Sequence, residues 1–392
     1  MIHLSFDVQF LVSAGEASGD MYAAGVVEHL RRRLPAAQFF GCAGAKLQAE
    51  GVEPVVDAAD LSVVGLAEVV HHLPRIYGKY RKLVREARKR RPVAALLTDN
   101  PDFHLRLARR LKETGTPVFY LVAPQAWAWR SGRVKAIRAL VDRLFCLFPF
   151  EEAWFRERGV DATYIGHPLA ARARVRQSRE EFLTRYGLSR DKRLLTLLPG
   201  SRAGEARRHL GTLLEAAGEL RRKFDLNVVL ATPSGFRERG VLATFREPVT
   251  FREPIGAQSI KIVENDTWDA IGHADLALAA SGTVTIEAAV LGTPMVTFYK
   301  VTPLSWYAGR HLVKVPFLSM VNLVAGRQIV PELMQQEMTT ARLVEEAGEL
   351  LTNEARANRM RADLAEVRAA LTREGDPLAR VAAAIAGAVG GQ

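Results

Sequence analysis

Ala274-Asp275-Leu276-Ala277-Leu278-Ala279-Ala280 runs directly into Ser281-Gly282-Thr283-Val284-Thr285-Ile286-Glu287, and the fold turns on how this join is read. The apolar run reads as a buried parallel strand. It breaks into small residues whose backbone N–H groups are open to a ligand, and a helix over 284–291 follows. That geometry gathers N–H donors and the positive helix end around an anion, which suits a phosphate or diphosphate. Glu287 would lie about one and a half turns into the motif, where its carboxylate can accept hydrogen bonds from sugar hydroxyls. The same residues also describe an ordinary N-capped helix with Ser281 or Thr283 as cap.

Outward from this join, β-rich apolar runs alternate with helical patterns along the whole chain. Strands are predicted at 9–13, 37–41, 94–98, 117–122, 143–147 and 162–165, and again at 194–198, 227–231, 260–263, 276–280 and 295–299. Helical stretches at 21–33, 104–114, 207–224 and 284–291 separate them. Such alternation implies βαβ units and parallel sheets, and two sets of it imply two doubly wound α/β domains. Gly166-His167-Pro168 closes the first set, so the domains are expected at 1–166 and 167–340. The charged, alanine-rich remainder, 341–392, reads as helix interrupted at Pro377. Thr244-Phe245-Arg246-Glu247-Pro248 is echoed at 250–254. Two copies are too few for a solenoid, so this reads as a surface duplication in a loop.

Composition narrows the setting. The chain has 392 residues, 48% of them hydrophobic, enough for two cores. Its two cysteines, Cys42 and Cys146, lie far apart without ligand spacing, which argues against a disulfide framework or zinc site and fits a reducing compartment. No run approaches the roughly 18 apolar residues of a membrane span. Met1–Asp7 reads as a loose extension rather than a secretory signal. A net charge of +11 means an anionic partner: nucleic acid, a membrane surface or phosphorylated small molecules. No nucleic-acid module is visible, with neither zinc finger nor aromatic RNP-type strand nor basic-plus-heptad region.

Ligands of α/β domains gather beyond the carboxyl ends of the strands. Three turns of the first half therefore matter. Ser13-Ala14-Gly15-Glu16-Ala17-Ser18-Gly19-Asp20 carries two carboxylates but lacks the three-glycine dinucleotide spacing, and no Walker A lysine occurs anywhere. Thr98-Asp99-Asn100-Pro101-Asp102-Phe103 carries two more, each readable as a general base or as a helix cap. Ala123-Pro124-Gln125-Ala126-Trp127-Ala128-Trp129-Arg130 places two tryptophans beside an arginine, as a cleft wall or as the edge of a core. In the second half, Leu198-Pro199-Gly200-Ser201-Arg202 ends a strand with an arginine whose planar fork can grip a phosphate or pair with Glu205.

These segments, with FPFE at 148–151, GHPL at 166–169 and NLVAGRQIVPEL at 322–333, occur in an order that strongly resembles the lipid-A-disaccharide synthase family of bacterial glycosyltransferases. The resemblance covers roughly 8–340. It implies a GT-B fold: two Rossmann-like domains facing each other across a cleft, without metal or cofactor. It further implies an inverting transfer in which UDP-2,3-diacylglucosamine and 2,3-diacylglucosamine 1-phosphate give a β-1,6 disaccharide 1-phosphate and UDP. On that reading Gly200, Ser201, Arg202, Ser281, Gly282 and Thr283 meet the diphosphate, Glu287 the ribose, and Asn322 and Arg327 lie near the donor. Asp102 is the first choice for the base that deprotonates the acceptor hydroxyl, with Asp99, Glu16 and Asp20 behind it. Gln125-Ala126 departs from the serine-rich start usual in the tryptophan motif, which bears on local acceptor contacts.

Both implied substrates carry acyl chains, so the enzyme must approach a bilayer without crossing it. An apolar segment, Leu61, Val63, Val64, Leu66, Val69, Val70, Leu73, Ile76 and Tyr77, leads into the basic run Arg75 to Arg91. Such a segment can lie in the headgroup region and attract anionic lipid, or be a core helix followed by a solvated one. A cytoplasmic enzyme bound peripherally to the inner membrane is expected; a homodimer is compatible with the sequence and not required by it. Two rivals remain: another GT-B enzyme, such as a UDP-N-acetylglucosamine 2-epimerase or a MurG-like transferase, and a basic nucleic-acid-binding protein.

Overall fold

A computed structural model describes residues 8–60, 66–233, 236, 260–302, 306–307 and 315–390, with the backbone alone at 60 and over 66–73. The Met1–Asp7 extension, the 244–254 echo and the apolar side chains from Leu61 to Leu73 therefore lie outside the described residues. The chain divides into two compact units, Met1–Ala171 with Leu371–Gln392, and Arg172–Ala370.

The first unit is built on seven parallel strands: β1 (Gln9–Ala14), β2 (Gln38–Ala43), β3 (Glu53–Asp57), β4 (Ala94–Thr98), β5 (Val118–Leu121), β6 (Arg143–Cys146) and β7 (Ala162–Tyr164), in the order β3-β2-β1-β4-β5-β6-β7. Its helices are α1 (Ala17–Arg33), α2 (Ala45–Ala49), α3 (Leu66–Arg90), α4 (Pro101–Lys112), α5 (Arg133–Leu140), α6 (Pro149–Arg156) and α7 (Pro168–Arg172). The central strands β4 and β5 are buried on both faces, which is why they read as apolar runs without alternation. Phe10, Val12 and Ala14 of β1 point to one face, which α1 covers; Leu11 points to the other, with Leu107 of α4 and Ile137 of α5.

The second unit has six parallel strands: β8 (Leu194–Leu198), β9 (Asn227–Thr232), β10 (Lys261–Glu264), β11 (Leu276–Ala280), β12 (Met295–Tyr299) and β13 (Glu332–Met334), ordered β10-β9-β8-β11-β12-β13. Its helices are α8 (Arg179–Arg185), α9 (Ala203–Phe224), α10 (Thr267–Gly272), α11 (Thr283–Leu291), α12 (Met320–Ala325), α13 (Thr340–Thr352) and α14 (Glu354–Leu371). A final helix, α15 (Pro377–Gly390), packs beside α1 in the first unit, where Leu378, Val381, Ala382 and Ile385 join the core against β1.

All eleven predicted strands are present within a residue or two of their expected ends. Two edge strands, β3 and β13, were not foreseen. The expected helical tail is present as three helices, with breaks at Asn353 and over 372–376. Pro377 does not interrupt a helix; it starts one, where its missing N–H costs nothing. In each sheet the strand order reverses once, between β1 and β4 and between β8 and β11. Those reversals open crevices at the carboxyl ends of the strands, and the motif turns 13–20, 98–103, 198–202 and 281–283 all lie there.

Candidate functional site

In the first unit the turn after β4 is unusual backbone. Asp99 and Asn100 both take positive φ, 56° and 35°, a costly conformation for residues other than glycine. Buried hydrogen bonds hold it. His104 Nδ1 lies 2.8 Å from the Asp99 carbonyl oxygen, which also accepts from the Tyr120 hydroxyl, and Ser13 Oγ lies 2.7 Å from His104 Nε2. Burial pushes His104 down to about 4, so the ring is neutral. Its Nδ1–H therefore donates to Asp99 and its Nε2 accepts from Ser13.

The Asp99 carboxylate faces back to the turn after β1. It accepts the backbone N–H groups of Gly15 at 2.9 Å and Glu16 at 3.1 Å. Burial, with the nearby Glu16 charge, pushes it up to about 8 despite those two donors. Approach is so close that a Cβ on Gly19 would stand 1.7 Å from Asp99 Oδ2. Asp20 is a second brace: buried, it accepts from Gly44 N at 2.7 Å, Lys46 N at 2.8 Å and Leu47 N at 3.4 Å, holding the start of α2. Glu16 precedes α1 and is exposed.

Asp102 is different. It stands in the first turn of α4 with its side chain 67% exposed, and Arg130 Nη1 reaches both its oxygens at 3.1 Å while Arg133 Nη2 donates to the same carboxylate. Trp127, from the same loop as Arg130, donates its indole N–H to Glu151 at 3.0 Å. Glu151 is fully buried at the start of α6 and also accepts from Leu147 N and Phe148 N, yet burial pushes it up to about 7.

In the second unit, Gly200 turns the chain at φ 109°, and a Cβ there would meet Glu205 Oε2 at 2.5 Å. Ser201 and Arg202 are exposed just before α9. His209 ties this turn to the end of β12, with Nδ1 2.8 Å from Pro199 O and the Lys300 N–H donating to Nε2 at 3.0 Å. Ser281, Gly282 and Thr283 lead into α11 as expected. Ser281 Oγ donates to Leu318 O at 3.1 Å. Glu287 lies in α11, pushed up to about 7 by burial even though Trp268 hydrogen-bonds it.

Asn322 is wholly buried and spends its amide on its own segment. Its nitrogen donates to Val330 O and Glu332, and its oxygen accepts from Ile329 N and Val330 N. Glu332 in turn accepts from Leu318 N and Ser319 N, so Asn322 buttresses the 318–319 segment before α12, whose Leu318 carbonyl holds Ser281. Arg327 is directed to α14, 3.0 Å from both Asp363 and Glu366. Sequence reasoning missed Arg133, Trp268, His104 and Tyr120. Each lies far along the chain from the carboxylate or carbonyl it contacts, or on the hidden face of a strand or helix, so no local spacing marks it.

A family model described as lipid-A-disaccharide synthetase matches residues 10–386. A lipid-A-disaccharide synthase of Solibacter usitatus is 55% identical over 98% of both chains. One from Myxococcus xanthus is 43% identical over 94% of both. Among solved structures, a UDP-GlcNAc 2-epimerase from Neisseria meningitidis bound to UDP-GlcNAc matches with TM-score 0.60 at 11% identity, over 98% of this chain and 100% of that one. A kitacinnamycin glycotransferase matches with TM-score 0.59 at 16% identity, over 96% and 97%. At such identities these structures share the fold, which is of the GT-B class.

Proposed function

The chain belongs to the lipid-A-disaccharide synthase family, and from that premise we propose how its residues divide the work. It is a glycosyltransferase that joins UDP-2,3-diacylglucosamine to 2,3-diacylglucosamine 1-phosphate in lipid A biosynthesis. The observation that carries this is the family match along nearly the whole chain, with the motif turns at both sheet reversals.

Asp102 takes the proton of the acceptor 6-hydroxyl. The hydroxyl oxygen forms a bond to C1 of the donor sugar from the face opposite UDP. The C1–O bond to the β-phosphate breaks and its electron pair leaves with UDP, so the anomeric centre inverts. Asp102 is preferred because its carboxylate is 67% exposed and its partners are two arginine side chains that can move, whereas the oxygens of Asp99 and Asp20 are occupied by fixed backbone donors. Those two shape the turns. Glu16, exposed beside them, is the reserve candidate. Charge building on departing UDP meets Arg202, the Gly200–Ser201 turn and the N–H groups of Ser281, Gly282 and Thr283 at the start of α11. Glu287 accepts from the ribose hydroxyls, held in place by Trp268. Asn322 and Arg327 serve the donor side indirectly, as braces of the 318–332 segment and of α14.

Contact with the anionic face of the inner membrane is assigned to α3. Arg75, Arg81, Lys82, Arg85 and Arg88 are exposed along it, beside an exposed Tyr77. No helix among the described residues is long and apolar enough to cross a membrane. A cytoplasmic, peripherally bound enzyme, as monomer or homodimer, follows from the acylated substrates.

The test is acceptor-dependent release of UDP from UDP-2,3-diacylglucosamine in detergent micelles, with disaccharide formed in equal amount. Conversion of the UDP-sugar without acceptor would instead make the chain an epimerase like several of its structural neighbours.

A further inference from the structure

Arg130 and Arg133, stacked on Trp129, carry more positive charge than Asp102 balances. The Arg130 guanidinium stands 4.5 Å and that of Arg133 5.4 Å from the centroid of the Trp129 ring, so one indole backs both cations. Both cations donate to the single carboxylate of Asp102. Arg133 is held firmly, its side chain 14% exposed, while Arg130 is 48% exposed. Arg130 takes the left-handed conformation, φ 59°, and the N–H of Arg133 donates to its carbonyl at 2.9 Å. The loop therefore accepts backbone strain at Arg130 to present two guanidiniums at the start of α4.

The exposed Arg130–Asp102 ion pair is worth only about 0–1 kcal/mol. A phosphomonoester near pH 7 carries a charge of about −1.5 to −2 and offers three acceptor oxygens, which match two planar forks better than a carboxylate does. Such a ligand would displace Asp102 from both arginines.

We propose that Arg130 and Arg133, backed by Trp129, are the receptor for the 1-phosphate of the acceptor sugar, and that its arrival frees Asp102. This rests on the proposed role of Asp102 as the base for the acceptor hydroxyl. Before acceptor binds, the arginines mask the carboxylate. Phosphate draws them off, leaving Asp102 unpaired beside the sugar it is to deprotonate. An acceptor without phosphate fails twice, in binding and in unmasking the base.

The experiment compares 2,3-diacylglucosamine 1-phosphate with 2,3-diacylglucosamine as acceptors, in neutral-detergent micelles. The wild type should favour the phosphorylated acceptor by about 10²-fold in kcat/KM, since hydrogen bonds to charged groups contribute about 1.5–3 kcal/mol each. In Arg130→Gln and Arg133→Gln that preference should fall to a few-fold, and Arg133→Lys should restore part of it. Equal slowing of both acceptors, with the preference kept, overturns the proposal. Should a variant turn over neither acceptor, equilibrium binding of short-chain forms of the two lipids reads the same ratio: a fall supports the proposal and an unchanged ratio overturns it. Anionic phospholipid added to the micelles should leave the preference intact. If the variants instead lose only their partition onto anionic vesicles, the arginines serve the bilayer and the proposal falls. Absence of any disaccharide from the wild type would be a failure of the transferase reading, separate from these outcomes.

Discussion

Asp99 and Asp102 differ in what surrounds two like carboxylates, so the same substitution should separate them. Asp102→Asn keeps size and suits the first helical turn nearly as well, but cannot take a proton. Turnover should fall by about 10²–10⁴-fold with UDP affinity unchanged. Asp99→Asn puts an amide where two backbone N–H groups need oxygens, at Gly15 and Glu16. It should lower stability by about 1–3 kcal/mol and raise KM for the acceptor as the 13–20 turn loosens. Steady-state kinetics with denaturant unfolding checks both. A dead Asp99→Asn with a near-normal Asp102→Asn would move the base to Asp99. Both aspartates were visible in the sequence, but what distinguishes them was not. Arg130 and Arg133 lie 28 and 31 residues from Asp102, and the donors to Asp99 come from a turn 84 residues earlier.

At the level of elements, the strand-turn-helix join at 276–291 acts with the β8–α9 turn, since both end neighbouring strands at the reversal of the second sheet. Arg202→Ala should therefore weaken UDP binding by about tenfold or more, the worth of a charged hydrogen bond, while unfolding stays near wild type because Arg202 is exposed. Glu287→Gln should weaken UDP too, replacing one of two acceptor oxygens with donors. Calorimetric titration with UDP decides; equal affinities would remove these residues from the donor site. This join was legible because a strand buried on both faces must be written as Leu276-Ala277-Leu278-Ala279-Ala280 without polar interruption. β3 was not: Glu53-Pro54-Val55-Val56-Asp57 is an edge strand, free to carry two carboxylates and a proline. β13 is three residues long, too short for any period to show. Asn322 and Arg327 were picked out as motif residues, but a motif records that a side chain is needed without saying whether a ligand or the protein needs it.

For the molecule as a whole, four buried groups of the first unit set a pH response. Asp99 and Glu151 are pushed up to about 8 and about 7, so the fold keeps their protons where the unfolded chain has lost them. Their stabilising effect is full below about pH 4 and drains away as pH rises through 7 to 8. His104 and His167 are pushed down to about 4 and about 3, so their effect is full above about 6.5 and drains as pH falls through those values. Between about pH 4.5 and 6.5 the two trends oppose, and above 6.5 the carboxyls alone act, so these groups make the unit lose stability toward pH 8. Glu151→Gln should flatten the part of that decline between 4.5 and 7, read as melting temperature against pH; a parallel curve would mean Glu151 stays ionised throughout. The placement of α15 has a consequence of another kind. Four of its side chains complete the core on β1 and α1, yet some 340 residues of other structure are made between them. On the ribosome the unit begun first is therefore finished after the second, and the side of α1 that α15 packs on must wait, its apolar residues uncovered, until α15 emerges. Synthesis order and folding order run in opposite senses, which makes the nascent chain a client for chaperones and makes a premature stop before residue 377 a lesion of the amino-terminal unit.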